Sequence, residues 1–266
     1  MTSDEDVITS TANPRIKELV RLHHRSERET TGRFLIEGAR ELRRAISSGV
    51  EVEQVLLCAE LAGAEESAAA SMVATDRILR VAAEPYGRVS RRRHPDGILG
   101  VAARLPTDLA RFEPGSNPVV LIADGLEKPG NIGAILRSAD AAGAALLTAD
   151  AATDLFNPNV VRASQGSLFT VPIAVAAGPE ALAWSHDRLR IFVATAEASL
   201  PYWAADMTGP VGLVVGSEHR GVSAGWRDAG EPVSIPMAGA ADSLNASVTA
   251  ALLLYEAVRQ RRPSAD

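Results

Sequence analysis

Three short clusters in the second half of the chain combine residue types that binding sites and catalysis use. The first is Asp124-Gly125-Leu126-Glu127-Lys128-Pro129-Gly130-Asn131-Ile132-Gly133, leading into Arg137, Ser138 and Asp140. Asn131 suits a helix N-cap, because its side-chain oxygen can take a free N–H of the first turn. Arg137 follows about 1.7 helical turns later and offers a planar fork of donors matched to phosphate. The second cluster, Val215-Gly216-Ser217-Glu218-His219-Arg220-Gly221-Val222, sets acidic and basic groups between glycines after an apolar run. The third runs from Val233-Ser234-Ile235-Pro236-Met237 through the small residues 238–242 to Ser243-Leu244-Asn245-Ala246-Ser247. Proline stops a strand there, and polar residues open a helix whose free N–H groups and positive dipole end suit an anionic or polar ligand. Taken singly, each cluster also fits an ordinary role: a capped helix with an Arg137–Asp140 surface pair, a strand-to-helix turn, and a second capped helix.

Several chemistries find no support. No GxGxxG opens the first strand–helix unit, no GxxxxGK[ST] is present, and there is no GxSxG elbow. His23, His24, His94, His186 and His219 lack metal-ligand spacing, and Cys58 is the single cysteine, so no metal site and no disulfide framework is expected.

The elements that must position the three clusters are alternating strands and helices. Apolar runs predict strands at 119–123, 145–148, 169–175, 191–195, 211–215 and 233–235. Helices are predicted at 131–142, 159–167, 180–188 and 244–260, the last with Val248, Ala251, Leu252 and Tyr255 inward. Strands apolar on both faces, joined by helices, imply a mainly parallel α/β sheet. Ligands of open α/β sheets sit beyond the carboxyl ends of strands, where all three clusters fall.

The first hundred residues read as a smaller mixed α/β domain. Helices are predicted from Asn13-Pro14 to about Arg25, over 37–47 and over 59–74, and strands at 34–36, 52–57, 78–81 and 98–102. Residues 105–118 hold Pro106, Pro114, Gly115, Ser116, Asn117 and Pro118, the densest set of breakers in the chain. The organisation predicted is therefore a domain over 1–105, a linker over 106–118 and a second domain over 119–266.

The chain has 266 residues and a net charge of −6, a length for one large or two modest domains. No apolar run reaches the ~18 residues of a membrane helix. The acidic N-terminus MTSDEDVITS does not fit a secretory signal. A soluble, cytoplasmic protein is expected. The acidic balance argues against a nucleic-acid partner until its distribution is considered. Acidic and basic residues balance over 1–106, so the whole deficit lies in 107–266. The basic residues are nearly all Arg; Lys17 and Lys128 are the two lysines. Arg15, Lys17, Arg21, Arg25 and Arg28 follow helical spacing, and Arg91, Arg92 and Arg93 are consecutive in a turn-like stretch ending at Pro95 and Gly97. Two such clusters in a small domain suit RNA or DNA.

In order, the clusters read NxGxxxRSA, GSExxG and IPMxxxxxSLNxSxxxxxxLYE. Together they resemble the three motifs of the SPOUT-class RNA ribose 2′-O-methyltransferases, the SpoU or TrmH family, over residues 119–262. Phe34-Leu35-Ile36-Glu37-Gly38 and Asp96-Gly97-Ile98-Leu99-Gly100 resemble that family's ribosomal-protein-like RNA-binding domain. The departures are minor: His219-Arg220 in the second motif and the Ala-rich loop 238–241.

The resemblance implies a C-terminal domain with a deep trefoil knot, S-adenosylmethionine as methyl donor, and a homodimer formed through that domain. Thr195, Gly216, Ile235, Met237 and Leu244 would contact the donor, with Gly216 letting backbone approach it closely. Arg137 would be the key catalytic residue, with Asn131 and Asn245 holding the ribose and Glu218 orienting Arg137 or a backbone amide. Two accounts of Arg137 are open: a base assisted by the target's phosphate, or a charged group gripping that phosphate and stabilising an alkoxide. Arg15, Arg25, Arg91, Arg92 and Arg93 would bind RNA. Ribosomal RNA, 23S in particular, is the expected substrate. The alternatives are a tRNA-directed enzyme and a non-catalytic RNA-binding assembly factor. A small-molecule oxidoreductase would need a nicotinamide site, for which no residue speaks.

Overall fold

In the computed structural model, which describes residues 7–262, the chain forms two compact units. Most of the stretch read as lacking a secretory signal lies outside the described residues. One unit runs up to Leu105 and includes Asp154–Thr170; the other comprises Pro106–Thr153 and the chain from Val171 onward.

The first unit contains α1 (Pro14–Arg21), α2 (Arg25–Thr31), β1 (Arg33–Glu37), α3 (Ala39–Ser47), β2 (Val52–Leu57), α4 (Ala64–Ala70), β3 (Ile78–Arg80), α5 (Ala83–Val89), β4 (Ile98–Ala103) and α7 (Pro158–Ser164). Its sheet has the order β1-β4-β2-β3, antiparallel except for the β2–β3 pair. Ile16, Leu19, Leu35, Leu56, Tyr86 and Leu99 are among its core residues. The single helix predicted from Asn13 breaks after Arg21, and Arg28 turns back to donate to the Leu22 carbonyl at 2.8 Å. The helix predicted over 59–74 shrinks to α4, which starts where Glu66 accepts from the Gly63 N–H at 2.9 Å.

The second unit contains β5 (Val119–Asp124), α6 (Pro129–Ala142), β6 (Ala145–Ala149), β7 (Ile173–Ala176), α8 (Gly178–His186), β8 (Arg190–Ala194), β9 (Val211–Gly216), α9 (Ala224–Ala229), β10 (Glu231–Val233) and α10 (Ala246–Arg261). Its six strands are all parallel, in the order β10-β8-β9-β5-β6-β7. Two strand predictions shift. Residues 167–169 form a 3₁₀ turn before β7, and β10 ends at Val233, opposite the last residue of β8.

Three further differences concern packing. Residues 106–118, predicted as a linker, belong to the second unit. The Val175 N–H donates to the Thr107 carbonyl at 2.7 Å, and the buried Phe112 ring lies 5.0 Å from Trp184. Residues 154–170, predicted inside the second domain, complete the first. Phe156 and Phe169 lie 4.9 and 6.3 Å from Phe34, and the buried Arg28–Asp154 pair closes at 2.8 Å. Finally, α10 is rotated from its predicted face. Ala250, Leu253, Leu254 and Ala257 are buried, whereas Val248 and Tyr255 are 45% and 49% exposed and Ala251 and Leu252 only half-buried.

Candidate active site

Sheet register brings the clusters together. Asp124, the last residue of β5, pairs with Gly216, the last of β9, so the loops after both strands leave the sheet side by side. Val233 of β10 pairs with Ala194 of β8, and the Thr195 N–H donates to the Val233 carbonyl at 3.0 Å. Four loops therefore meet at one edge of the sheet, formed by the carboxyl ends of parallel strands. Buried Asp124 ties that edge together, accepting from the Ser223 N–H at 2.7 Å.

A cavity of about 340 Å³ opens there. Thr195, Gly216, Ile235, Met237 and Leu244, all expected from the family resemblance, line it. Val215 and Val222 extend its apolar wall, and Glu197, Asp242, Arg220 and Arg227 supply charge. The volume falls in the range of small-molecule sites, an apolar wall with a few polar groups. That lining fits S-adenosylmethionine: apolar side chains for the purine and the methionine stem, and carboxylates for the cationic sulfonium and ammonium. The Thr195 hydroxyl donates to Glu197 and holds its carboxyl below the ordinary range. Gly216 also has a part in closing its own loop. A Cβ there would lie 2.2 Å from the Gly221 carbonyl carbon, because the loop bridges back between Ser217 and Gly221. The glycine permits its own loop to close at the cavity rim.

Glu218, Asn131 and Asn245 form a continuous chain of hydrogen bonds. Asn131 Nδ2 donates to Glu218 Oε1 at 2.5 Å, and Asn245 Nδ2 donates to Asn131 Oδ1 at 3.1 Å. Asn245 Oδ1 caps α10, accepting from the Ser247 N–H at 2.9 Å and its hydroxyl at 2.7 Å. Asn131 is not the cap of α6, as predicted. Pro129 takes the first helical position, which places the cap at Lys128 and turns the buried Asn131 side chain inward. Sequence reasoning gave Lys128 no role; its ammonium lies 3.2 Å from Glu218 Oε1. Burial pushes the Glu218 carboxyl up, but its own N–H, Asn131 and Lys128 outweigh that and hold it below the usual carboxylate range. Glu218 therefore bonds to Asn131 and, among the described residues, makes no hydrogen bond or ion pair with Arg137. Arg137 is exposed on α6 and, among the described residues, its side chain makes no hydrogen bond or ion pair.

In the first unit, Arg15, Arg25, Arg91 and Arg93 are exposed, with Arg25 paired to Glu29 at 2.7 Å. Arg92 is turned inward. It donates to Asp96 at 2.6 Å and to the Glu37 carbonyl at 2.7 Å, and lies 3.9 Å from Glu41. Arg28 likewise leaves the basic face for the buried pair with Asp154. Among the described residues, no group of three His, Cys, Asp or Glu is placed to hold a metal ion, and no helix is long and apolar enough to cross a membrane.

Residues 118–255 match the SpoU rRNA Methylase family, and residues 13–100 match the MRM3-like substrate binding domain. The chain belongs to the SpoU rRNA methylase family. It is 35% identical over 254 residues to the 23S rRNA (uridine(2479)-2′-O)-methyltransferase of Streptomyces viridochromogenes, covering 90% of this chain and 87% of that one. The crystal structure of an RNA 2′-O ribose methyltransferase matches with a TM-score of 0.85 and 46% identity, over 96% of this chain and 98% of the other. An AdoMet-bound rRNA methyltransferase from Sinorhizobium meliloti matches with a TM-score of 0.86 and 28% identity, again over 96% and 98%. This SpoU methylase is thus an RNA 2′-O-methyltransferase that uses S-adenosylmethionine.

Proposed function

We propose that this SpoU methylase transfers the methyl group of S-adenosylmethionine to a ribose 2′-hydroxyl of 23S ribosomal RNA, acting in the cytoplasm. The observation that carries the reading is the Glu218–Asn131–Asn245 chain, built from the three motif loops beside a cavity lined by Thr195, Gly216, Ile235, Met237 and Leu244. The donor supplies an activated methyl group, so the protein has to position the hydroxyl and manage its proton. Asn131 and Asn245 present fixed amides to the ribose. Arg137, exposed and unpaired among the described residues, is available to the target's phosphate. A guanidinium that keeps its proton is a poor base but a strong partner for phosphate and for developing oxyanion charge. These features favour the charged role. In the substrate-binding unit, Arg15, Arg25, Arg91 and Arg93 are the exposed candidates for RNA phosphates.

The reading includes a homodimer through the second unit. Val248, Leu252 and Tyr255 share one stripe of α10, at a spacing of four and then three residues, and two of them are markedly exposed. It also includes, from the family resemblance, the trefoil threading of the C-terminal chain; the Arg261 guanidinium holds the end of α10 to the carbonyls of Asn117, Pro118, Met207 and Gly209. The test is methyl transfer from labelled S-adenosylmethionine to 23S rRNA transcripts, with Arg137→Ala as the variant. Transfer should be abolished while donor binding, measured by calorimetry, survives. A folded Arg137→Ala protein with full activity sinks the mechanism.

A further inference from the structure

Glu218 is an acceptor at both oxygens when ionised. That fixes the Asn131 amide: Nδ2 faces Glu218 at 2.5 Å, so Oδ1 faces Asn245. Asn245 must then give Nδ2 to Asn131, leaving Oδ1 for the start of α10. The carboxylate at one end and the Ser247 N–H at the other thus hold the two amides in one orientation between them. Lys128 holds that carboxylate. Its Nζ lies 3.2 Å from the same Oε1 that takes the Asn131 amide. Among the described residues, no other cation lies within ion-pair distance of Glu218; Arg220, on the same loop, is turned to Glu127 at 3.5 Å. The Lys128 side chain is 58% exposed and that of Glu218 20%, so the ammonium stands at the solvent end of the chain of bonds. In a sequence with just two lysines, this position carries a compact point charge rather than a guanidinium fork.

We propose that Lys128 is a positioning residue for methyl transfer: its ammonium anchors Glu218, which holds the Asn131 amide in place against the capped Asn245 and towards the ribose. The inference rests on the site reading given above for Asn131, Glu218 and Asn245. The experiment measures kcat, and KM for 23S rRNA transcript, in the wild type, Lys128→Met, Lys128→Arg, Glu218→Gln and the Lys128→Met/Glu218→Gln double variant. Thermal stability and donor affinity, followed in parallel, report folding. Lys128→Met should lower kcat about tenfold with KM for RNA nearly unchanged, as a misplaced catalytic group does. Lys128→Arg should recover most of the loss. In the Glu218→Gln background, Lys128→Met should cost nothing further, because both changes break the same link. The inference is overturned by wild-type kcat in Lys128→Met, by losses that multiply in the double variant, or by a loss confined to KM, which would mark a direct RNA contact. A fully active Glu218→Gln protein overturns the site reading itself; an impaired Glu218→Gln with a silent Lys128→Met overturns Lys128 alone.

Discussion

At the scale of single residues, the site depends on groups whose surroundings leave them one thing to do. Gly216 ends β9 where the following loop returns to Gly221, and a Cβ would come within 2.4 Å of the Val222 nitrogen as well. Neither atom can move without breaking the Ser217–Gly221 bridge. Forced overpacking of this kind costs about 1–3 kcal/mol. Gly216→Ala should therefore open the loop at the cavity rim and weaken S-adenosylmethionine binding about tenfold or more, with the sheet intact. Calorimetric titration checks this, and wild-type affinity refutes it. Residue identities at the site were legible because motif order named them, yet their roles were less so. Asn131 looked like a cap, and only the placement of Pro129 at the first helical position shows that its amide serves Glu218 instead.

At the scale of elements, the stretch Ser90–Gly97 shows how a basic run divides between structure and surface. Arg92 is consumed by Asp96, the Glu37 carbonyl and Glu41, and its own N–H donates to Ser90 Oγ at 3.2 Å. Gly97 closes the stretch with φ +85°, and a Cβ there would meet the Ala62 nitrogen at 2.5 Å. Arg91 and Arg93 are left facing solvent. Replacing those two together by Ala should lower RNA affinity and flatten its dependence on log salt by about 1.5, near the value for two phosphate contacts. Arg92→Ala should instead lower the melting temperature, since it strands buried acceptors. An unchanged salt slope in the double variant removes the loop from the RNA footprint. Spacing along the sequence exposes a shared face but not what packs over it, which is why Arg28 and Arg92 were both read as surface charge. The strands, by contrast, were legible because a run such as Val119–Ala123, buried on both faces, admits few other readings. The six-residue α9 and the Pro-containing α5 carry too little periodicity to be seen.

At the scale of the whole molecule, net charge and α10 raise the same question of which surface meets which partner. A total of −6 would repel RNA if spread evenly, but residues 1–106 are balanced and several of their arginines are neutralised internally. The proposed RNA footprint is then a few exposed guanidiniums rather than a basic face. The surface of α10 follows a different logic. The first three turns of the helix carry apolar residues on every side, so periodicity does not separate its packed side from its exposed one. Leu253, Leu254 and Ala257 face the core, while Val248 and Tyr255 face outward. Exposed aliphatic and aromatic side chains aligned on one helix suit a self-complementary contact about a two-fold axis. Tyr255→Glu places a charge in that contact without touching the core, and like charges would meet across the axis. In the proposed dimer, the variant should sediment as a monomer at concentrations where the wild type is expected to pair, with its melting temperature changed little at matched monomer state. If the active site is completed across the interface, methyl transfer should fall together with the dimer fraction and recover at high protein concentration. A Tyr255→Glu protein that stays dimeric and fully active would assign the exposed stripe no part in assembly.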